Sequence, residues 1–214
     1  MIQAVFFDVG ETLISETEQW GHWADLLGIP RLTFFAALGL VISNNWHHRR
    51  VFELFGTTHQ AALSEQKKRG IAAREIQVSD FYPDAIPCLL ALRQAGMKVG
   101  IAGNQPEGAE QILSSLELPI DYLASSASWG IEKPDPAFFK RIVEITKLEP
   151  QQIAYVGDRL DNDIVPAKAL GMTAVFLERG PWGVIHAQRE EVKKADLHLH
   201  GLEPLLGYLL GASF

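Results

Sequence analysis

Short apolar runs alternate with longer stretches of helical periodicity along most of the chain. The runs AVFFD (4–8), KVGIAG (98–103), YLAS (122–125), IAYVGD (153–158) and TAVFLE (173–178) have the length and composition of buried strands. They are apolar on nearly every residue, as strands of a parallel sheet covered on both faces must be. Between them, IPCLLALRQAG (86–96) spaces its apolar residues as a helix does and stops at Gly96. PAFFKRIVEITKL (136–148) opens with proline in its first turn, and DIVPAKALGM (163–172) ends at Gly171. EPLLGYLLGA (203–212) predicts a closing helix, and DLHLHG (196–201) a late edge strand with His198 and His200 on one face. The alternation predicts an α/β fold: a Rossmann-like parallel sheet with helices on both faces.

One stretch breaks the rhythm. After Asp8 the pattern does not return to the sheet for some seventy residues. Instead EQWGHWADLLGI, LTFFAALGLVISNNW and TTHQAALSEQKKRG follow one another as helices, with no convincing strand among them. The predicted organisation is an α/β core from 1–14 and 82–214, interrupted by a helical insertion over 15–81. Pro83 and Pro87 punctuate the return.

Composition narrows the picture. The 214 residues are 47% hydrophobic, enough to bury a core without staples. A net charge of -7 offers no basic stripe for nucleic acid, so no nucleic-acid partner is expected. No apolar run approaches the roughly 18 residues of a membrane helix, and MIQAVFF has no positive n-region of a signal peptide. With one cysteine, Cys88, no internal disulfide forms, and the expected location is the cytoplasm. Oligomeric state has no signature in the sequence.

Candidate chemistry gathers at strand ends. In an open parallel sheet, ligands bind beyond the carboxyl ends of the strands. Asp8 ends the first run, Gly103 and Asn104 the second, Lys133 follows the third in GIEKPDP, and Asp158 ends the fourth in YVGDRLDND. That topology would bring Asp8, Lys133, Asp158 and Asp163 into one crevice. Two carboxylates about 4 Å apart repel by roughly 4 kcal/mol at an effective dielectric near 20. A divalent cation resolves the repulsion, and an oxygen-only set suits Mg²⁺. A metal, a carboxylate and a lysine together suggest phosphoryl transfer through an aspartyl-phosphate.

These residues resemble the haloacid dehalogenase superfamily of hydrolases, in its branch with a helical cap. The resemblance spans nearly the whole chain. It rests on the opening hydrophobic-Asp-x-x-x-Thr-Leu segment, the insertion, Lys-Pro-Asp-Pro and the Gly-Asp-x₄-Asp loop. It implies that Asp8 is the nucleophile and a Mg²⁺ ligand, with the main-chain carbonyl of Gly10, Asp158 and Asp163 as further ligands. It implies that Lys133 steadies Asp8 and the phosphate and that Thr12 hydrogen-bonds within the turn. Gly103 and Asn104 fall where the family binds phosphate. The implied substrate is a small phosphorylated metabolite.

Two positions depart from the family's phosphatases. Gly10 stands where a second aspartate normally acts as general acid and base, and Gly103 where a Ser or Thr hydroxyl binds phosphate. A positioned general acid contributes about 10²–10⁴ in rate. Three alternatives follow. A weakly catalytic binding or regulatory protein would tolerate both changes but needs no nucleophile at Asp8. A dehalogenase needs no leaving-group proton, but such enzymes work without metal and lack an acid at the position of Asp158. Carbon–phosphorus cleavage needs a Schiff-base lysine in the insertion, where Lys67 and Lys68 stand at a polar helix end. Asp161 reads as an exposed loop acid. His47, His48, Arg49 and Arg50 read as a polar face of the insertion, and His198 with His200 lacks the further ligands a zinc site requires.

Overall fold

The computed structural model describes residues 1–211. Six strands form one parallel sheet: β1 (Ala4–Phe7), β2 (Lys98–Gly103), β3 (Tyr122–Ser125), β4 (Ile153–Gly157), β5 (Thr173–Leu177) and β6 (Leu197–Leu199), in spatial order β3-β2-β1-β4-β5-β6. Chain order reverses at β1, so the crevice of a doubly wound sheet opens beside its carboxyl end. The two-residue period divides the side chains between two cores. Val5, Phe7, Ile101, Val156 and Val175 pack on one face with Leu89 and Leu92 of the Ala85–Gln94 helix. Ala4, Phe6, Tyr155 and Phe176 pack on the other with Phe138, Phe139 and Ile142 of the Pro136–Thr146 helix. Phe6 lies over Gly100, its partner across β1 and β2, where an added Cβ would overlap the ring. Cys88 is buried in the first core, and burial pushes its thiol up to about 12.

Three short helices, Ala109–Ser115, Ser126–Trp129 and Gly180–His186, were not predicted, because four to seven residues carry too little periodicity. The helix expected from Asp163 begins instead at Val165, and a wide π-type turn occupies Leu160–Ile164. The closing helix covers Leu205–Leu209; Ala212 of the expected span lies outside the described residues.

The chain divides into two compact units, Met1–Ser15 with residues from Ile76 on, and Glu16–Glu75. The second unit ends six residues before the expected limit of 81. Residues 76–81 join the α/β unit because Ser15 N–H donates to the Asp80 carbonyl (2.8 Å) and Ile14 bridges Phe81. Glu16–Glu75 contains the helices Thr17–Leu27, Arg31–Ser43 and His59–Lys68, the last capped by Thr58, whose hydroxyl accepts from Ala61 N–H at 3.1 Å. Its interior is aromatic: Phe34 and Phe52 are fully buried, with ring centroids 5.9 Å apart, and Trp23 meets Phe52 edge-on at 5.4 Å. Arg50 lies over Trp46 at 4.4 Å and bonds Glu53, while Lys67 and Lys68 are exposed. Among the described residues no single helix is long and apolar enough to cross a membrane.

Candidate active site

Asp8 and Asp158 are each delivered by a strand that stops just before it. Asp8 follows β1 and is held by its N–H, which donates to the Val156 carbonyl at 2.9 Å. Asp158 follows β4. Asp163 returns from the π-type turn, whose wider pitch lets its carboxylate accept from Arg159 N–H at 3.0 Å and lie against Gly157. A Cβ at Gly157 would overlap that carboxylate, so the glycine of the Gly-Asp pair makes room for Asp163. Carboxylate oxygens of Asp8, Asp158 and Asp163 all lie within 4.8 Å of one another, and all three residues are buried.

Lys133 is the counter-charge. Its Nζ donates to Asp8 Oδ1 at 2.7 Å and to Asp163 Oδ1 at 2.6 Å, with its side chain 2% exposed. Burial works against the ammonium, but Asp163 and Asp8 outweigh it and hold the group well above the ordinary lysine range. Tyr155 lies beneath, its ring centre 5.3 Å from Nζ and its hydroxyl donating to the Ala102 carbonyl at 2.7 Å. Asn104 grips the main chain of Lys133 from both sides: its Oδ1 accepts from Lys133 N–H at 2.8 Å and its Nδ2 donates to the Lys133 carbonyl at 2.9 Å. Its side chain is therefore a positioning group for Lys133.

Three carboxylates against one ammonium leave two uncompensated negative charges. The imbalance shows in proton affinity. Burial first, then Asp163 and Asp8, raise Asp158 well above the carboxylate range. Asp163 is pushed up to about 6 by burial, with Lys133 pulling down and Asp8 pushing up. A cluster of hard oxygen donors in need of two positive charges fits one divalent cation of the Mg²⁺ kind.

The remaining expectations divide. Gly103 touches the site directly: a Cβ there would stand 2.5 Å from Asp8 Oδ1, so the missing hydroxyl side chain gives way to the carboxylate itself. Gly10 lies in the turn after β1, bridged to Ile14. The hydroxyl of Thr12 is fully buried with no hydrogen-bond partner among the described residues, against the expected bond within the turn; its carbonyl accepts from Arg179 Nη1 at 3.2 Å. Glu11, next to the missing acid, is drawn away. Its carboxylate accepts from the Tyr82 hydroxyl at 2.6 Å and packs on Gly180, whose φ of +63° only glycine adopts freely. Asp161 is exposed and paired with Arg159 at 2.7 Å.

Two supports were invisible in the sequence. His186 Nδ1 accepts from Leu160 N–H at 3.1 Å, tying the Asp158–Asp163 loop to the Gly180–His186 helix. Arg179 pairs with half-buried Asp84 and stacks over Tyr82 at 4.1 Å, fixing the turn that follows Asp8 from the end of β5. Both act over more than twenty residues of sequence, which no local pattern reports.

Comparison with known proteins identifies the family. Residues 2–171 match the family described as haloacid dehalogenase-like hydrolase. The chain is 29% identical over 204 residues to a glyceraldehyde 3-phosphate phosphatase of Methanopyrus kandleri, covering 85% of this chain and 86% of the relative. It is 33% identical over 202 residues to the protein of the same name from Pyrococcus abyssi, covering 84% and 83%. Among solved structures, a HAD phosphatase from Thermococcus onnurineus superposes with a TM-score of 0.62 at 27% identity, over 99% of each chain. The chain that carries these buried carboxylates, with the lysine between them, belongs to the haloacid dehalogenase-like hydrolases.

Proposed function

We propose that this hydrolase is a Mg²⁺-dependent phosphatase acting on a small phosphorylated metabolite through an aspartyl-phosphate at Asp8. The observation that carries the reading is the convergence of Asp8, Asp158, Asp163 and Lys133 at the carboxyl edge of the sheet. Asp8, Asp158 and Asp163, with the main-chain carbonyl of Gly10, are the residues that would hold Mg²⁺. When bound, the ion offsets the excess negative charge and draws electron density from the phosphoryl oxygens. Asp158 in this cluster counts against metal-free dehalogenation, and exposed Lys67 and Lys68 lack the desolvation a Schiff-base lysine needs.

Lys133 holds Asp8 Oδ1, leaving Oδ2 to form a bond to phosphorus as the bond from phosphorus to the ester oxygen breaks. Lys133 keeps its charge beside the transferring group, and Asn104 keeps Lys133 in place. The departing oxygen takes its proton from water or from the substrate itself, since Gly10 offers none and Glu11 is committed to Tyr82. Water then adds to phosphorus, the bond to Asp8 breaks, and phosphate leaves with Asp8 restored as a carboxylate. The inserted helical unit is assigned the part of a cap that selects substrate and excludes water. The buried, unreactive Cys88 suits a reducing cytoplasm. The names of two relatives make glyceraldehyde 3-phosphate the first natural substrate to test.

The test is phosphate release with and without Mg²⁺ from acetyl phosphate, p-nitrophenyl phosphate and glyceraldehyde 3-phosphate, with Asp8→Asn as the blank. Turnover is expected to require Mg²⁺, to vanish in the blank and to favour the two good leaving groups. Gly10→Asp should then raise turnover of the alkyl phosphate, by up to the 10²–10⁴ or so that a positioned acid contributes. Release by Asp8→Asn at the wild-type rate, or none from any substrate, would overturn the reading.

A further inference from the structure

The late edge strand carries a feature that phosphoryl transfer does not use. β5 and β6 run parallel with Phe176 opposite His198 and Leu177 opposite Leu199. Continuing that register sets Glu178 opposite His200, and Glu178 N–H does donate to the Leu199 carbonyl at 2.7 Å. The two-residue period then puts Glu178, His198 and His200 on the same face as Phe176, while Leu199 turns into the core. Sequence alone offers two histidines without further ligands; the parallel register supplies a third ligand, Glu178, just past the end of β5 and twenty residues before His198.

The geometry is that of a ligand set. His198 Nε2 lies 2.7 Å from Glu178 Oε2, and His200 Nδ1 lies 3.6 Å from the same oxygen. One ligand atom from each residue falls within 4.8 Å of the other two. Bonds of about 2.0–2.1 Å in a tetrahedral site place ligand atoms roughly 3.3 Å apart, so side-chain adjustments alone close the set. Phe176, fully buried, backs the His198 ring at 5.1 Å and limits how far it turns.

We infer that Glu178, His198 and His200 form a surface site for one divalent transition-metal ion of the Zn²⁺ class. Two imidazole nitrogens and one carboxylate favour borderline-soft ions such as Zn²⁺, Ni²⁺ or Cu²⁺ over Mg²⁺, which prefers oxygen. The site shares no residue with the Asp8, Asp158 and Asp163 cluster and so stands whether or not that cluster performs phosphoryl transfer. The ion would clip β6 to the end of β5, next to Arg179, which holds the Thr12 carbonyl.

The test is a Zn²⁺ titration against a chromophoric chelator in excess Mg²⁺, repeated with Co²⁺ to read its visible absorption. One Zn²⁺ per chain is expected, retained in Asp158→Asn and in His47→Ala. Loss of an outer-shell partner alone weakens metal sites about 10–100-fold, so His198→Ala and His200→Ala should lose at least that much. If His198→Ala fails to fold because it also strips Phe176, His200→Gln decides, its side chain being 78% exposed. No stoichiometric Zn²⁺ in the wild type, or wild-type affinity in the His200 variants, would overturn the inference.

Discussion

Each unit of this molecule holds one cation between two carboxylates, and the two arrangements have opposite consequences. In the α/β unit Lys133 bridges Asp8 and Asp163 with its side chain 2% exposed. In the helical unit Arg31 bridges Asp25 and Glu18, at 2.7 and 3.2 Å, with its side chain 40% exposed. Each cation touches both of its carboxylates. What differs is water. Around Arg31 solvent competes for every charge, whereas around Lys133 removal of one partner strands the others in a medium that cannot solvate them. The division runs through the described residues: of those that are buried and polar or charged, only Gln66 belongs to the helical unit, whose interior is otherwise apolar and rich in aromatic rings. Among the described residues, buried charge is confined to the unit that carries the Asp8 cluster.

The sharpest way to break the comparison is Lys133→Met, which keeps the length and removes the charge. Breaking a buried pair by deleting one partner costs about 3–5 kcal/mol, so urea unfolding without Mg²⁺ should show a loss of that order. Phosphate release should vanish with it. A variant as stable as the wild type would mean that Asp8 and Asp163 relax to solvent, and that burial is not what gives this contact its weight.

Gly103→Ser probes the same site from the backbone. By resemblance a hydroxyl here would restore a phosphate contact, but the structure gives its Cβ only 2.5 Å from Asp8 Oδ1. Asp8 has to move, and under the proposed mechanism a displacement near 1 Å costs on the order of 10²-fold in rate. Activity is therefore expected to fall by about that factor, measured as kcat on acetyl phosphate. A rise would mean that the carboxylate turns aside without loss.

His186 supplies a smaller effect with a defined pH window. Burial lowers its pKa from 6.5 to about 4, so the folded protein keeps it neutral while the unfolded chain takes a proton below 6.5. Stability from this residue is complete above pH 6.5 and is lost as pH falls toward 4, by no more than about 3 kcal/mol. Urea midpoints across that window, compared with His186→Gln, isolate the contribution. The variant should flatten the slope between pH 6.5 and 4.

What the sequence made legible follows from the range of each signal. Asp8 and Asp158 are read because a strand and the acid that ends it are neighbours in sequence, and Asp163 and Lys133 sit in short motifs. The role of Gly103 depends on the carboxylate across the strand pair, and that of Asn104 on a lysine twenty-nine positions away. His186, alone in PWGVIH, has no local signal at all. The insertion was legible as helices from its periodicity. Its far boundary was not, because residues 76–81 are recruited to the α/β unit by Ser15 and Ile14.

The least effect belongs to Arg31→Ala, and it is the control that gives the Lys133 result its meaning. The Arg31 guanidinium makes more contacts than the Lys133 ammonium, with both Nε and Nη2 on Asp25 and Nη1 on Glu18, and it lies flat on Gly21. Counting bonds would rank it first. Exposed ion pairs are nonetheless weak, since the ordering of a long side chain and competition from water absorb most of the Coulomb gain. The urea midpoint should barely move, and what difference there is should disappear near 1 M salt, where the screening length is about 3 Å. The loss in Lys133→Met should persist under the same salt, because ions do not reach a side chain with 2% of its surface open. A salt-resistant loss in Arg31→Ala would assign the helical unit a second point of electrostatic organisation and overturn the division between the two units.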